Sequence, residues 1–369
     1  MSNKNKSKSS IIINETSLQQ LGWSDEFANK TAELEQPKGS VARLTCVQRN
    51  FFTVNNGEDE WLCTPAGKLM YNENGMYPVT GDWVLVDDTV VTGIIPRKNI
   101  LSRGESGARG GKNVSVNREQ PIAANLDTIF IVCGLDRDYN LRRLERYLTL
   151  IYNCGLTPVV VLTKADLHEE PENFLTEVES IAFGVDVVLT SMQDKRGKHE
   201  LEEYLRGGQT AAMIGSSGAG KSTLANMLYG EDIQLTRTIS DSVGKGRHTT
   251  TSRELVCMPQ GGMLMDNPGI REIAFHESGD GIENTFSDIQ ELAVLCRFSD
   301  CTHANEPGCE VLHAVKTGEL PVKRLENFHK MKREMDYISA RQKKSANRVE
   351  KERRKDISLM IKDMKKKKE

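Results

Sequence analysis

The chain runs to 369 residues, 38% hydrophobic and 27% charged, a length that allows two or three domains with separate cores and a composition that excludes a fibrous or low-complexity protein. No apolar run approaches the roughly 18 to 20 residues that a membrane-spanning helix needs, so a membrane partner or span is not expected. The formal net charge of -3 conceals an asymmetry: residues 321–369 carry 18 Lys plus Arg against 8 Asp plus Glu, a basic end on an acidic body that suits a polyanion such as nucleic acid.

Residues 1–38 begin with Lys, Ser and Asn and lack the apolar centre of a secretory leader; a flexible extension and a cytoplasmic protein are expected. Over residues 39–105 the candidate strands are Val41–Val47, Phe51–Val54, Trp61–Thr64, Trp83–Val86 and Val90–Ile95. Turn signals separate them at Asn55-Asn56-Gly57, Asn74-Gly75, Gly81-Asp82 and Asp87-Asp88. Five short strands in this span predict a small closed β-barrel of the OB type, a fold whose loops commonly contact oligonucleotides. Spacing alone does not separate it from an SH3-like barrel. Residues 106–119, rich in Gly, Lys, Arg and Asn, read as a mobile linker.

Over residues 120–275 the pattern becomes near-continuous apolar runs alternating with helical spacing. Thr128–Val132, Val159–Leu162, Val185–Leu189 and Ala211–Ile214 read as buried parallel strands, and Leu141–Tyr152 as a helix between the first two. This is the signature of a doubly wound α/β domain.

Gly215-Ser216-Ser217-Gly218-Ala219-Gly220-Lys221-Ser222 follows the strand Ala211–Ile214 and, with Thr223, opens a helical stretch to Tyr229. That is a P-loop in the context it requires. The glycines let backbone N–H groups turn toward phosphates, Lys221 reaches the β and γ oxygens, and Ser222 ligates Mg²⁺. Further on, Asp266-Asn267-Pro268-Gly269 ends the strand Met263–Met265. There Asp266 can hold the Mg²⁺ shell through water and Gly269 can sense the γ-phosphate. Between them, Gly246-Arg247-His248-Thr249-Thr250-Thr251 reads as a switch. One of its threonine hydroxyls, assigned to Thr250, would complete the Mg²⁺ shell, and His248 is the candidate that orients the attacking water.

Thr163-Lys164-Ala165-Asp166 stands at the carboxyl end of the strand Val159–Leu162. A carboxylate at Asp166 accepts hydrogen bonds from guanine N1–H and the 2-amino group but faces an acceptor on adenine, which selects GTP. Lys164 would lie along the base, and Ser191-Met192, after the strand Val185–Leu189, would bring a backbone N–H to guanine O6. The guanine elements precede the phosphate loop, the reverse of the usual order in a GTPase. The domain is therefore expected to be a circularly permuted P-loop GTPase binding GTP or GDP with Mg²⁺.

Over residues 276–340, Cys296, Cys301, His303 and Cys309 offer three thiolates and an imidazole within a short span, the ligand set of a closed structural Zn²⁺ site. Cys46, Cys63, Cys133, Cys154 and Cys257 are scattered singly, which argues against a disulfide framework. Leu325, Phe328, Met331, Met335 and Ile338 recur at helical spacing, so this part is expected to be an α-helical zinc-binding domain. Residues 341–369 form a basic tail expected to order only on RNA.

These motifs in this order, behind a barrel carrying Gly81-Asp82-Trp83-Val84 and Pro96-Arg97-Lys98-Asn99, resemble the RsgA family, also called YjeQ or YloQ, of small-ribosomal-subunit-dependent GTPases. The resemblance spans roughly residues 39–335 and implies an OB barrel, a permuted G domain and a zinc domain acting together in late maturation of the 30S subunit. It implies GTP hydrolysis stimulated by that subunit and contact with its rRNA; a monomer is expected. The alternative is an RNA-binding assembly scaffold in which nucleotide is only a structural or regulatory ligand. Thr163, Met192 and Ile270 depart from a generic GTPase, where Asn, Ala and a water-orienting Gln are usual; the last implies slow intrinsic hydrolysis.

Overall fold

The computed structural model describes residues 15–34, 38–48, 51–70, 77–104, 119–230, 254–266 and 281–336. Strands β1 (Ser40–Val47), β2 (Phe52–Asn55), β3 (Glu60–Pro65), β4 (Trp83–Asp87) and β5 (Val90–Ile94) coincide with the five expected from alternation and turns. β1 pairs with β2 and β4, β2 with β3, and β4 with β5, all antiparallel, while β3 and β5 run parallel. The circuit closes on itself, as an OB-like barrel does. Strand alternation turns Ala42, Leu44, Phe52, Val54, Val84, Val86 and Val91 to its interior.

One part of the barrel's outer face, around Trp83, is covered by residues 15–34, which corrects the expectation of flexibility for that stretch; residues 1–14 and 35–37 lie outside the described residues. Helices Glu15–Gln19 and Asp25–Ala32 and the turn between them bury Leu18, Leu21, Trp23 and Phe27. Trp23 meets Trp83 edge-on at 4.8 Å between ring centroids, and Phe27 lies 5.9 Å from the same ring. Arg43, on β1, is fully buried. Its guanidinium donates to the carbonyls of Leu21, of Gly81 at 3.3 Å and of Asn125 at 2.8 Å, and sits 5.2 Å over the Trp83 ring. Burial pulls its pKa down to about 10, so it stays cationic near neutrality. The N-terminal helices, the barrel and the entry to the next domain thus meet on one side chain.

The expected boundary at residue 105 is also corrected. The barrel closes with β5, and β6 (Ile100–Gly104) pairs antiparallel with β7 (Glu119–Ala124) in a separate two-stranded sheet. Most of the expected linker lies outside the described residues, but Glu119 belongs to β7. Two barrel motifs form the joint to the next domain. Asp82 receives both Nε and Nη2 of Arg97 at 2.7 Å, and the Asn99 side chain donates to the Leu126 carbonyl and accepts from its N–H.

The second domain contributes β8 (Thr128–Gly134), β9 (Thr157–Thr163), β10 (Asp186–Leu189), β11 (Thr210–Ile214), β12 (Glu254–Cys257) and β13 (Met263–Asp266). Their order in space is β10-β9-β8-β11-β13-β12, parallel throughout except for β12. One face of the sheet packs Phe130, Val159 and Met213 under Leu224 and Leu228 of helix Lys221–Tyr229. The other packs Ile129, Ile131 and Val160 against Leu144, Leu148 and Ile151 of helix Leu141–Asn153. Both faces are covered, which is why the strands read as unbroken apolar runs. The free side of β12 meets β1 at Cys46 and Glu254, joining barrel and domain into one 11-stranded sheet.

Beyond it lie helices Gly281–Thr285, Ser287–Val294, Glu310–Thr317 and 322–336. The expected apolar face of the last is buried at Leu325, Phe328 and Met331, whereas Ile338 and the basic tail lie outside the described residues. Arg324 fastens this helix by donating to Glu145 at 2.7 Å, to both carboxylate oxygens of Asp288 and to the Thr285 carbonyl, while Asn327 donates to the other Glu145 oxygen.

Candidate nucleotide site and metal centre

The loop Gly215–Gly220 leaves the end of β11, a central strand, and runs into helix Lys221–Tyr229. Its backbone demands glycine at both ends. At Gly215 (φ 149°) an added Cβ would stand 2.2 Å from the Val132 carbonyl oxygen, and at Gly220 (φ 98°) it would press on Thr163 Oγ1 at 3.1 Å. The helix starts at Lys221, so Lys221, Ser222 and Thr223 occupy its first turn, where backbone N–H groups lack intrahelical partners. Lys221 Nζ folds back over the loop and donates to the Gly215 carbonyl at 2.8 Å and the Ser216 carbonyl at 2.6 Å. Ser217 on the loop and Ser222 on the helix are exposed, while Ala219 is buried.

The loop at the end of β9 is bonded directly to it. Thr163 Oγ1 donates to the Ala219 carbonyl at 2.6 Å, and Lys164 Nζ donates to the Gly218 carbonyl at 2.7 Å. Lys164 adopts a left-handed backbone (φ 64°), which turns the chain so that buried Ala165 bonds to Thr190 and Asp166 comes out to the surface. Asp166 Oδ2 accepts from Gln193 Nε2 at 3.1 Å, a partner that no motif announced. Ser191 is buried and its hydroxyl accepts from the Gln193 N–H at 3.1 Å, while the neighbouring Met192 is 47% exposed.

Two further residues join this assembly. Asp136 accepts from Lys164 Nζ at 2.8 Å, and Asp138 accepts from the hydroxyl of Ser216. The Lys164 ammonium and the Asp138 N–H hold the Asp136 carboxyl below the ordinary carboxylate range. Asp266 ends β13, the strand paired with β11. The segment with His248 and Thr250, and Gly269 after Asp266, lie outside the described residues. A cleft of about 970 Å³ opens elsewhere, between helix Leu141–Asn153 and the C-terminal helices, and none of the nucleotide-motif residues lines it.

In the C-terminal domain the four expected ligands converge. The donor atoms of Cys296, Cys301, His303 and Cys309 all lie within 4.8 Å of one another. Cys296 Sγ stands 3.8 Å from Cys309 Sγ, and His303 Nδ1 stands 3.6 and 3.4 Å from those two sulfurs. With zinc–sulfur bonds near 2.3 Å and zinc–nitrogen bonds near 2.0 to 2.1 Å, a tetrahedron has edges of about 3.8 Å between sulfurs and about 3.6 Å from sulfur to nitrogen. The donor set therefore fits Zn²⁺ in chemistry, and the three edges among Cys296, His303 and Cys309 fit it in spacing. His303 reaches the cluster from a left-handed backbone (φ 58°), and Cys309 Sγ accepts the Leu312 N–H at 3.4 Å as the cap of helix Glu310–Thr317. That ties the ligand cluster to the helix scaffold.

Comparison with known proteins bears on these sites as a set. The family model described as RsgA GTPase matches residues 94–276, and one described as 50S ribosome-binding GTPase matches residues 210–359. A small ribosomal subunit biogenesis GTPase RsgA of Methanosarcina acetivorans is 45% identical over 79% of each chain. Its counterpart in Syntrophotalea carbinolica is 40% identical over 92% of this chain and 95% of its own. Among solved structures, YjeQ from Thermotoga maritima is 29% identical, with a TM-score of 0.58 over 80% of this chain and 98% of that one. YloQ, a circularly permuted GTPase, shares the fold at a TM-score of 0.55 and 23% identity.

Proposed function

The chain belongs to the RsgA GTPase family, and from that membership we propose that it hydrolyses GTP to GDP and phosphate as a biogenesis factor of the small ribosomal subunit. Hydrolysis is stimulated by that subunit and accompanies a late step of its maturation, with the barrel, the zinc domain and the basic tail meeting its rRNA. The observation that carries this reading is the pair of hydrogen bonds from Thr163 and Lys164 to the carbonyls of Ala219 and Gly218. They hold a guanine loop and a phosphate loop as one cradle although the chain supplies them in inverted order.

In this cradle Asp166 reads the guanine edge, Lys164 lies along the base, and Ser191-Met192 supplies a backbone donor to O6. The N–H groups of Gly215–Gly220 and the ammonium of Lys221 hold the phosphates. Ser222, Thr250 and Asp266 would hold Mg²⁺, which when bound neutralises charge on the β and γ oxygens. Gly269 senses the γ-phosphate, and His248 orients the hydrolytic water. Cys296, Cys301, His303 and Cys309 would hold Zn²⁺ as a folding ligand, since four protein ligands leave no open position for chemistry.

The test is GTP turnover measured with and without purified 30S subunits. Turnover that rises with 30S is the expected result. Tight GTP binding with no turnover under either condition would instead establish the scaffold reading.

A further inference from the structure

The turn that follows β8, Gly134 to Asn140, belongs to neither nucleotide motif, yet it touches both. Asp138 Oδ1 accepts from Ser216 Oγ of the phosphate loop and from Arg143 Nη2 at 2.6 Å, while Oδ2 accepts the Gly134 N–H at 3.2 Å. Asp136 Oδ2 accepts from Lys164 Nζ of the guanine loop at 2.8 Å, and its Oδ1 accepts the Asp138 N–H at 2.9 Å. Each carboxylate thus spends one oxygen on shaping its own turn and another on a neighbouring loop. Arg143 stands in the first turn of helix Leu141–Asn153, so the turn is anchored to a packed element.

We propose that Asp138 is a positioning residue of the nucleotide site, holding the phosphate loop through Ser216 while Asp136, on the same turn, holds the guanine loop through Lys164. This rests on the reading of those loops as a guanine-nucleotide cradle. Neither carboxylate is assigned a nucleotide contact: an anion against phosphate would repel it, and Asp136 is occupied by an ammonium and Asp138 by hydroxyl and guanidinium donors. Their effect is on preorganisation. A P-loop whose second residue is tethered pays less ordering entropy when phosphates arrive, and a Lys164 held between Asp136 and Gly218 keeps its direction along the base.

The experiment is a double-mutant cycle on GDP affinity in the full-length protein, using Asp138→Ala, Ser216→Ala and the combined variant, with melting temperature recorded for each. Loss of one charge-assisted hydrogen bond predicts a roughly 3- to 30-fold weaker Kd for Ser216→Ala and for Asp138→Ala. The combined variant should be no weaker than the worse single one, because both remove the same tether. Asp138→Asn, which keeps an acceptor for Ser216, should recover most of the affinity. Asp136→Asn should weaken GDP with no such coupling to Ser216→Ala. Effects of Asp138→Ala and Ser216→Ala that multiply would overturn the proposal, as would a Ser216→Ala variant with wild-type affinity. A wild-type chain that binds no guanine nucleotide would instead overturn the functional reading beneath it.

Discussion

Thr163 Oγ1 lies 2.6 Å from the carbonyl oxygen of Ala219, across 56 residues of sequence. Where a generic guanine motif begins with Asn, a threonine hydroxyl makes the tie to the phosphate loop. Thr163→Val, nearly isosteric but without the donor, should weaken GDP and GTP binding by about 3- to 10-fold. Fluorescence titration with a labelled nucleotide measures this, and an unchanged Kd would show that the tie is incidental.

Asp166 is exposed at the mouth of the guanine loop and bonded to Gln193. Asp166→Asn exchanges an acceptor for a donor on one side, so GTP should weaken by roughly a hundredfold. Xanthine nucleotide, with an oxo group where guanine has an amine, should gain. Competition between GTP and XTP for the variant is the measurement; retained preference for GTP would place base recognition elsewhere.

The spacing of the Cys296, Cys301, His303 and Cys309 donors leads to an expectation about metal. Purified protein should hold close to one equivalent of zinc, and Cys301→Ser or His303→Ala should release it and lower the melting temperature of the C-terminal domain. GDP affinity should change less than about twofold, because a metal held by four protein ligands would act there as a folding ligand. A variant that keeps its zinc, or that loses GDP binding in parallel, would contradict the assignment.

Glu145 and Arg324 are each 3% exposed and bonded at 2.7 Å. Glu145→Ala strips Arg324 of one partner and leaves Asn327 without its acceptor, a loss of about 3 to 5 kcal/mol by analogy with broken buried pairs. Urea unfolding followed by protection of the 322–336 helix reads this out. A change below about 1 kcal/mol would mean that Asp288 and the Thr285 carbonyl suffice for the guanidinium.

The role proposed for His248 concerns rate rather than binding. His248→Ala should keep GTP affinity and 30S association but slow subunit-stimulated turnover by roughly ten- to a thousandfold, the range for one positioned catalytic group. Wild-type turnover on 30S subunits would assign water orientation to a threonine, the backbone or the rRNA.

What could be read from the residues alone follows from how local each signal is. The barrel strands and the strands under the nucleotide loops were legible because alternation and apolar runs are written within a few residues. The P-loop and the Cys/His cluster were legible for the same reason. The helices Glu15–Gln19 and Asp25–Ala32 were not, since pieces of five and eight residues are too short to show a period. Strand β12 is four residues of mixed character, and β6 and β7 flank the Gly- and Lys-rich stretch that masked their pairing. Asp136 and Asp138 escaped notice because their partners lie 28 and 78 residues away, and a carboxylate that acts by holding another loop leaves no pattern around itself.

The pairing of Cys46 with Glu254 makes the barrel a neighbour in the hydrogen-bonding direction of β12, the outermost strand of the nucleotide-binding sheet. An outermost strand with nothing alongside it is a template for intermolecular pairing and aggregation. Cutting the chain ahead of β8 to isolate the nucleotide domain would uncover that margin, together with the apolar surfaces that Leu126 and Ala124 bury at the joint. A chain shortened in this way should therefore self-associate more readily than the full-length protein.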